Sequence, residues 1–314
     1  MKKMTKTNVC NMIENKLVNY WAFESWKKLN HCVSEYEIDK LFHYTYDSNF
    51  RQIVENDFVK LRFSRADEFL DKNEGIQILE PFYSACGILY DTHKIDKDFF
   101  LIARGISADD VRYNSRGTWI FCFSKNGYSD FMKVRYAPND GWVLGFSAFN
   151  LWHLCYDFPG ECIRLEKVIY SFRKMRNEFK KKLINIYNCY CHDRANEIYK
   201  DDIKLQSDLK KALISCLIEY CFCYKNSAYK NEEEIRLICC PQEGFAYWES
   251  DDSCAKLFFG VHEHLPRLYL ELKKDQYLMS SSENMDVCDT TELNKCYISS
   301  TEIKHVTRKS SKNM

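Results

Sequence analysis

Residues 161–240 read ECIRLEKVIYSFRKMRNEFKKKLINIYNCYCHDRANEIYKDDIKLQSDLKKALISCLIEYCFCYKNSAYKNEEEIRLICC, eighty positions without a glycine or a proline. The stretch opens on the apolar, β-branched run Leu165–Tyr170 and closes on Glu234–Cys240, alternating and then continuously apolar, so a strand is expected at each end. Between them Phe172, Met175, Phe179, Leu183 and Ile186 step by three and four. Leu205, Leu209, Leu213, Cys216, Leu217, Tyr220 and Tyr224 do the same, which predicts two amphipathic helices. Strand, helix, helix, strand is not the regular βα alternation of a doubly wound sheet, and it sets the class at α+β.

Working outward, the same mixture continues. Upstream, Lys40–Thr45 reads as a strand, Asp47–Glu55 as a short helix that Asp47 can cap, and Phe58–Ser64 as a second strand. Residues 76–112 read as helical with a polar break near Asp91–Lys97, and Gly117–Phe123 and Gly141–Phe146 as strands bounded by turn formers. Downstream, Lys256–Val261 and Leu268–Leu272 supply further strands. Ile13, Leu17, Trp21 and Trp26 lie near helical spacing. The expected organisation is a helical N-terminal extension over 1–39, a main domain over 40–278 with a helical insertion at about 171–228, and a connector with a basic tail over 279–314.

Composition narrows the function classes. The 314 residues carry 45 basic and 45 acidic side chains, so the chain is not a globally basic nucleic-acid coat, although a local basic patch is compatible with neutrality. Aromatics are rich, at 15 %, and only 10 glycines and 5 prolines punctuate the chain, which favours long regular elements. The N-terminus is cationic but has no apolar h-region, and no window approaches 18 uncharged apolar residues. The expectation is a cytoplasmic protein without membrane association, whose 16 cysteines are reduced and mostly small buried hydrophobes. Neither G-x-G-x-x-G nor G-x-x-x-x-G-K-S/T occurs, which argues against dinucleotide folds of the doubly wound type and P-loop NTPases.

Two groups of residues could carry chemistry. His43, Tyr44 and Thr45 end a strand just before a helix, where imidazole, phenol and hydroxyl can hydrogen-bond sugar hydroxyls and stack on a heteroaromatic ring. Glu232 and Glu234 stand two apart at the mouth of a strand, so in an extended chain both carboxylates share a face with Arg236. Two like charges so close require a cation, a metal or a polyhydroxyl ligand. Plain alternatives are a half-buried strand end and a charged edge strand. Cys189-x-Cys191-His192 and Cys221-x-Cys223 lie on helical patterns and lack zinc-loop spacing, so they are read as structural and no metal is expected. Arg173, Lys174, Arg176, Lys180, Lys181 and Lys182 fall within ten residues of one helix, a solvated surface or a contact for a phosphate backbone.

Taken in order, FHYTYDSNFRQIVENDFVKLRFSRADEFLDKNEG, IFCFS, DFMKVRYAPNDGWVLGF and YKNEEEIRLI, spanning about residues 40–240, resemble a family of bacterial domains that looks like a divergent branch of the ADP-ribosyltransferases. The chain departs from the family pattern at Leu70–Glu74, at Lys133 and at Tyr229, and keeps the His and Glu motifs. The resemblance implies a split mixed or antiparallel β-sheet core of ADP-ribosyltransferase type and a mono-ADP-ribosyltransferase that uses NAD as co-substrate. In that reading Glu234 stabilises oxocarbenium character on the ribose while Glu232 polarises or deprotonates the acceptor nucleophile. His43 holds NAD through a ribose hydroxyl, Tyr44 or an aromatic such as Phe123 lies near the nicotinamide, and Ser64, Arg65 and Ser124 contact ribose and diphosphate. The acceptor is a macromolecule, with RNA favoured over protein because of the local basic stripe. The family context also implies a toxin of bacterial phage defence or of a toxin–antitoxin pair, with an antitoxin as partner. The competing readings are a non-catalytic module that holds a nucleotide or nucleic acid, and a metal-dependent nuclease built on Asp67, Glu74 and Glu232.

Overall fold

A computed structural model describes residues 16–19, 39–55, 57–69, 71, 73–138, 141–158, 163–199, 201–241, 245–250, 252–278 and 298–299 of the chain. In these, the strands are β1 Lys40–Thr45, β2 Val54–Glu55, β3 Phe58–Arg62, β4 Ser64–Arg65, β5 Trp119–Ser124, β6 Trp142–Ser147, β7 Ile163–Lys167, β8 Glu234–Cys239, β9 Tyr247–Glu249, β10 Ala255–His262, β11 Leu265–Lys273 and β12 Ile298–Ser299. The helices are α1 Lys16–Asn19, α2 Asp47–Ile53, α3 Leu79–Asp91, α4 Lys97–Arg104, α5 Ala108–Ser115, α6 Asp130–Tyr136, α7 Ala148–Asp157, α8 Phe172–Ala195, α9 Asp202–Cys221 and α10 Lys274–Tyr277. The class is α+β, with antiparallel pairing between the strands of both sheets.

The chain divides into two compact units. One contains both sheets. Its seven-stranded sheet runs β12-β6-β1-β5-β8-β7, with β4 also paired to β5, and its five-stranded sheet runs β2-β3-β11-β10-β9. Opposite residues of an antiparallel pair share a face, so the pairs Leu41↔Phe146, Phe123↔Ile235, Phe121↔Leu237 and Leu165↔Leu237 define one apolar side of the larger sheet. That side packs on Val59, Leu61, Leu257, Leu268 and Leu270 of the smaller sheet and on Leu151 and Leu154 of α7, forming the core of the unit. Each of these side chains contributes on the order of 1.5–3 kcal/mol by leaving water. β5 and β8 lie at the centre, covered on both faces, and their sequences accordingly read as near-continuous apolar runs.

The other unit is helical among its described residues. Phe82 of α3 meets Phe179 of α8 edge-on at 5.3 Å, and Phe179 meets Tyr220 of α9 at 5.6 Å. Leu183, Ile186, Leu209, Leu213 and Leu217 are fully buried, as their three-and-four spacing requires. The backbone N–H groups of Lys16 and Leu17 at the start of α1 donate to the buried Asp193 carboxylate at 3.0 and 2.9 Å, which satisfies donors that a helix start leaves open.

The strand expectations hold to within a few residues, and the helical stretch 76–112 resolves into α3, α4 and most of α5. Three short helices, α6, α7 and α10, lie outside the expectations, since four to ten residues give too few turns for a periodic signal. Asp47 does not cap α2. It is the first helical residue, after an extended Tyr46, and its carboxylate accepts the Trp142 indole N–H at 2.8 Å. β8 is not a charged edge strand, since it lies between β5 and β7. The expected helix around Ile13, Trp21 and Trp26 and nearly all of the tail over 279–314 lie outside the described residues. Cys86, Cys216, Cys221, Cys223, Cys239 and Cys254 are buried.

Candidate functional site

Strand alternation decides which of the expected site residues meet. Phe42 pairs with Ser124, Ser124 with Glu234, Cys122 with Arg236, and Arg236 with Glu166. Tyr44, Cys122, Ser124, Glu234 and Arg236 therefore share one face of the larger sheet. His43, Thr45, Phe121 and Phe123 take the opposite face. The two groups singled out in the sequence are thus on opposite sides of the same sheet.

On the first face, the charges form a closed buried network. Arg236 is 1 % exposed and Glu234 5 %. Arg236 donates to both oxygens of Glu234, Nε to Oε1 at 2.9 Å and Nη2 to Oε2 at 3.0 Å, and also to Glu74 Oε1 at 2.5 Å and the Phe222 carbonyl at 2.9 Å. Lys225 Nζ lies 2.7 Å from Glu234 Oε2, 2.8 Å from Glu232 Oε2 and 3.7 Å from Glu74 Oε2. Tyr136 of α6 donates to Glu232 Oε1 at 2.9 Å, and Arg135 approaches the same oxygen at 3.7 Å. Lys225 thus supplies the cation that two adjacent carboxylates demand. Gly75 fits this cluster because its φ of +79° suits glycine and a Cβ there would come within 2.9 Å of the Phe222 ring.

Glu232 and Glu234 converge by a different route from the one expected. Glu232 ends a 3₁₀ turn over Ser227–Glu232, Glu233 is left-handed at φ 44°, ψ 45°, and β8 starts only at Glu234. A tight turn, and not an extended chain, aims both carboxylates at Lys225. Burial alone would push the Glu234 carboxyl up, but Arg236 and Lys225 outweigh it and hold it at about 2. Burial likewise opposes the charge on Lys225, yet Glu234 and Glu74 raise its ammonium above the usual lysine range. A carboxylate so firmly ionised is a weak proton acceptor at neutral pH, and its available chemistry is electrostatic.

The second face opens into a cleft of about 400 Å³. His43, Thr45 and Ser64 line it as three of the expected contacts, joined by Asn49 and Gln52 of α2, Lys60 and Arg62 of β3, Phe69, Phe121, His262 and Tyr269. Burial lowers the His43 imidazole to about 4, against the opposing hydrogen bond between Nδ1 and the Cys122 carbonyl at 3.0 Å. The ring at neutral pH is a neutral group lying 4.4 Å from the Phe121 ring and tilted 37° to it. Phe121, and not Phe123, is the aromatic beside His43, and Phe123 is buried in the core.

The remaining candidates have other partners. Tyr44 donates to the Asn126 carbonyl at 2.5 Å and accepts the Ser129 N–H at 3.1 Å, so it fixes the turn before α6. Buried Ser124 accepts the Asn126 N–H at 3.2 Å. Arg65 bonds Asp67 at 2.6 Å and is not part of the cleft lining. The basic stripe is dispersed around α8: Lys182 turns inward to buried Glu219 at 3.0 Å, Lys181 pairs with Glu178 at 3.2 Å, and Arg176 and Lys180 are half-buried. Of the six, Arg173, Lys174 and Lys181 are exposed. Of the nuclease trio, Asp67 is tied to Arg65, while Lys225 stands between Glu74 and Glu232. Among the described residues no three His, Cys, Asp or Glu side chains gather as metal ligands, and no helix is long and apolar enough to cross a membrane.

Sequence reasoning missed Lys225, Tyr136, Lys60, Arg62, His262 and Tyr269. The alternation Val59-Lys60-Leu61-Arg62-Phe63 carried a usable signal, since one face had to be polar. His262 and Tyr269 arrive from some two hundred residues away and left none. In comparisons with known proteins, residues 134–237 match a family described as a protein of unknown function, DUF2971. The match takes in Arg135, Tyr136, Lys225, Glu232, Glu234 and Arg236 and does not extend to His43. No curated protein and no solved structure matches the chain.

Proposed function

We propose that this protein binds a nucleotide, with NAD as the first ligand to test, in the cleft beside His43. One observation carries the reading: the lining joins aromatic rings (Phe69, Phe121, Tyr269), hydroxyl and amide groups (Thr45, Ser64, Asn49, Gln52) and two cations (Lys60, Arg62), without a carboxylate. Rings suit a base, hydroxyls and amides a ribose, and cations a phosphate, and the volume falls within the range of small-ligand sites. Equilibrium dialysis with NAD tests it: the expected result is saturable binding that His43→Ala weakens, and absence of binding to the parent protein would reject it.

A second reading, mono-ADP-ribosyl transfer from NAD to a macromolecule such as RNA or protein, is favoured by a separate observation. Arg236 and Lys225 keep Glu234 ionised in a water-poor setting, which is what stabilising a developing oxocarbenium ion requires. Glu234 is the first residue of β8 and Ser124 the last of β5, so the carboxylate stands at the end of the sheet. Transfer requires the ribose to reach Glu234 around that end, since the carboxylate is buried, is not part of the cleft lining and has His43 on the far face. Release of nicotinamide from NAD, followed by mass with and without RNA, tests the reaction. Transfer predicts release that Glu234→Gln reduces on the order of 10²–10³-fold. NAD binding without any release leaves the binding-module reading.

A further inference from the structure

Resting on the nucleotide reading, we propose that Arg62 and His262, with Lys60 behind them, form the phosphate-binding end of the cleft, so that its ligand is a phosphate ester and not a neutral nucleoside. Three strands build this end. The registers Tyr269↔Arg62, Glu271↔Lys60 and Phe258↔Tyr269 set Lys60, Arg62, Phe258 and Tyr269 on one face of the smaller sheet, and His262, paired with Leu265, ends β10 on the same face. An Arg62 Nη1–H donates to His262 Nε2, which orients the guanidinium. Among the described residues no carboxylate lies within ion-pair distance of Arg62.

The surroundings keep these cations available. Lys60 Nζ sits 5.0 Å from the centre of the Tyr269 ring and 5.6 Å from that of Phe258, with one carboxylate, Glu271, at 3.6 Å. Among the described residues, the acid within ion-pair distance of His262 is the exposed Glu263, at 3.6 Å. Among the described residues, Lys60 and Arg62 stand against one partly buried carboxylate, Glu271, while the charge of Glu263, 80 % exposed, is screened by solvent, and this balance favours an incoming phosphate. Gly260 matters to the geometry: a Cβ there would come within 2.9 Å of Tyr269 Cε2, so the missing side chain lets the tyrosine ring lie across β10 under Lys60. A guanidinium fork matches two phosphate oxygens, and losing such charge-assisted bonds costs about tenfold or more in affinity.

Titration calorimetry at low ionic strength on the full chain, using adenosine, ADP and inorganic pyrophosphate, tests the assignment on the parent, Arg62→Met, Arg62→Lys and the exposed control Lys230→Met. Arg62 is exposed, so its replacement leaves the fold intact, which the melting temperature checks. The expected result is at least a tenfold loss for ADP and pyrophosphate in Arg62→Met, with adenosine unchanged, partial recovery in Arg62→Lys and no change in Lys230→Met. Equal ADP affinity in the parent and Arg62→Met would overturn the subsite while the nucleotide reading stood. Arg62-dependent binding of pyrophosphate alone would support the subsite and reject the nucleotide. No binding of any of the three to the parent would reject both.

Discussion

Glu233 separates the two buried glutamates by a left-handed turn, a conformation that costs a residue with a Cβ roughly 1–2 kcal/mol. Its carbonyl accepts the Lys125 N–H at 3.0 Å and its own N–H donates to the Lys230 carbonyl at 3.2 Å, which holds the turn in place. We expect Glu233→Val to lose about 1 kcal/mol, because a β-branched side chain fits the left-handed region worse than glutamate, and Glu233→Gly to lose nothing, since glycine escapes the cost that glutamate already bears. Urea midpoints decide this, and a valine variant as stable as the parent would reject the turn as the device that joins Glu232 to Glu234. Glu234→Gln keeps the shape but leaves Arg236 and Lys225 short of counter-charge inside the protein. Removing one member of a buried network costs about 3–5 kcal/mol, and the amide's remaining hydrogen bonds put the expected loss at the lower end. The half-buried pair partner Glu249, changed to Gln, is the control and should lower the midpoint less than Glu234→Gln does. If both variants have the same midpoint, the network adds nothing to stability. Activity lost in Glu234→Gln is interpretable only once this midpoint is known.

At the scale of elements, α6 is the one that carries functional geometry furthest on least support. It spans seven residues, yet it delivers Arg135 and Tyr136 to Glu232. Ser129 caps it by accepting the Met132 N–H at 3.3 Å, and Tyr44 from β1 accepts the Ser129 N–H. We expect Ser129→Ala to cost about 1 kcal/mol and to speed amide exchange within 130–136 roughly fivefold. Unchanged exchange there would mean that packing under Met132, and not the cap, sets the helix. The basic helix α8 teaches the converse at the same scale. Six cations in ten residues look like one stripe in the sequence, but successive residues turn about 100° around the axis. The fold uses that rotation to send Lys182 inward to Glu219.

For the whole molecule, His43 and Glu234 contribute two stages to the response to acid, both with the same sign. The His43 pKa falls from 6.5 unfolded to about 4 folded, so below 6.5 the unfolded chain binds the extra proton and stability drops until pH 4. The Glu234 pKa falls from 4.5 to about 2, so its contribution is complete above 4.5 and is lost as pH falls towards 2. Stability is therefore expected to decline in two stages. Since His43 is partly open to the cleft, the first amounts to about 2 kcal/mol between pH 7 and 4.5. Urea midpoints across this range should flatten in His43→Gln, which keeps a hydrogen-bond donor and removes the titration. A slope unchanged by that substitution would place the acid sensitivity elsewhere.

What the sequence by itself determined was the class and most of the elements. Periodicity is local: Phe172 to Ile186 at steps of three and four, or Ile235 and Leu237 alternating with Arg236, declare helix and strand wherever they fold. A requirement at Glu232 and Glu234 for a cation, a metal or a polyhydroxyl ligand was also legible, because like charges at that spacing cannot stand alone. Which cation met it was not. Lys225, Glu74 and Tyr136 come from three separate segments, and only tertiary packing brings them within hydrogen-bond reach. The separation of His43 from Glu234 was equally out of reach. It depends on the register of β1 with β5 and of β5 with β8, and a shift of one residue in either would have put them on the same face. Register is set by how whole apolar faces meet across the core, and no single strand carries that information.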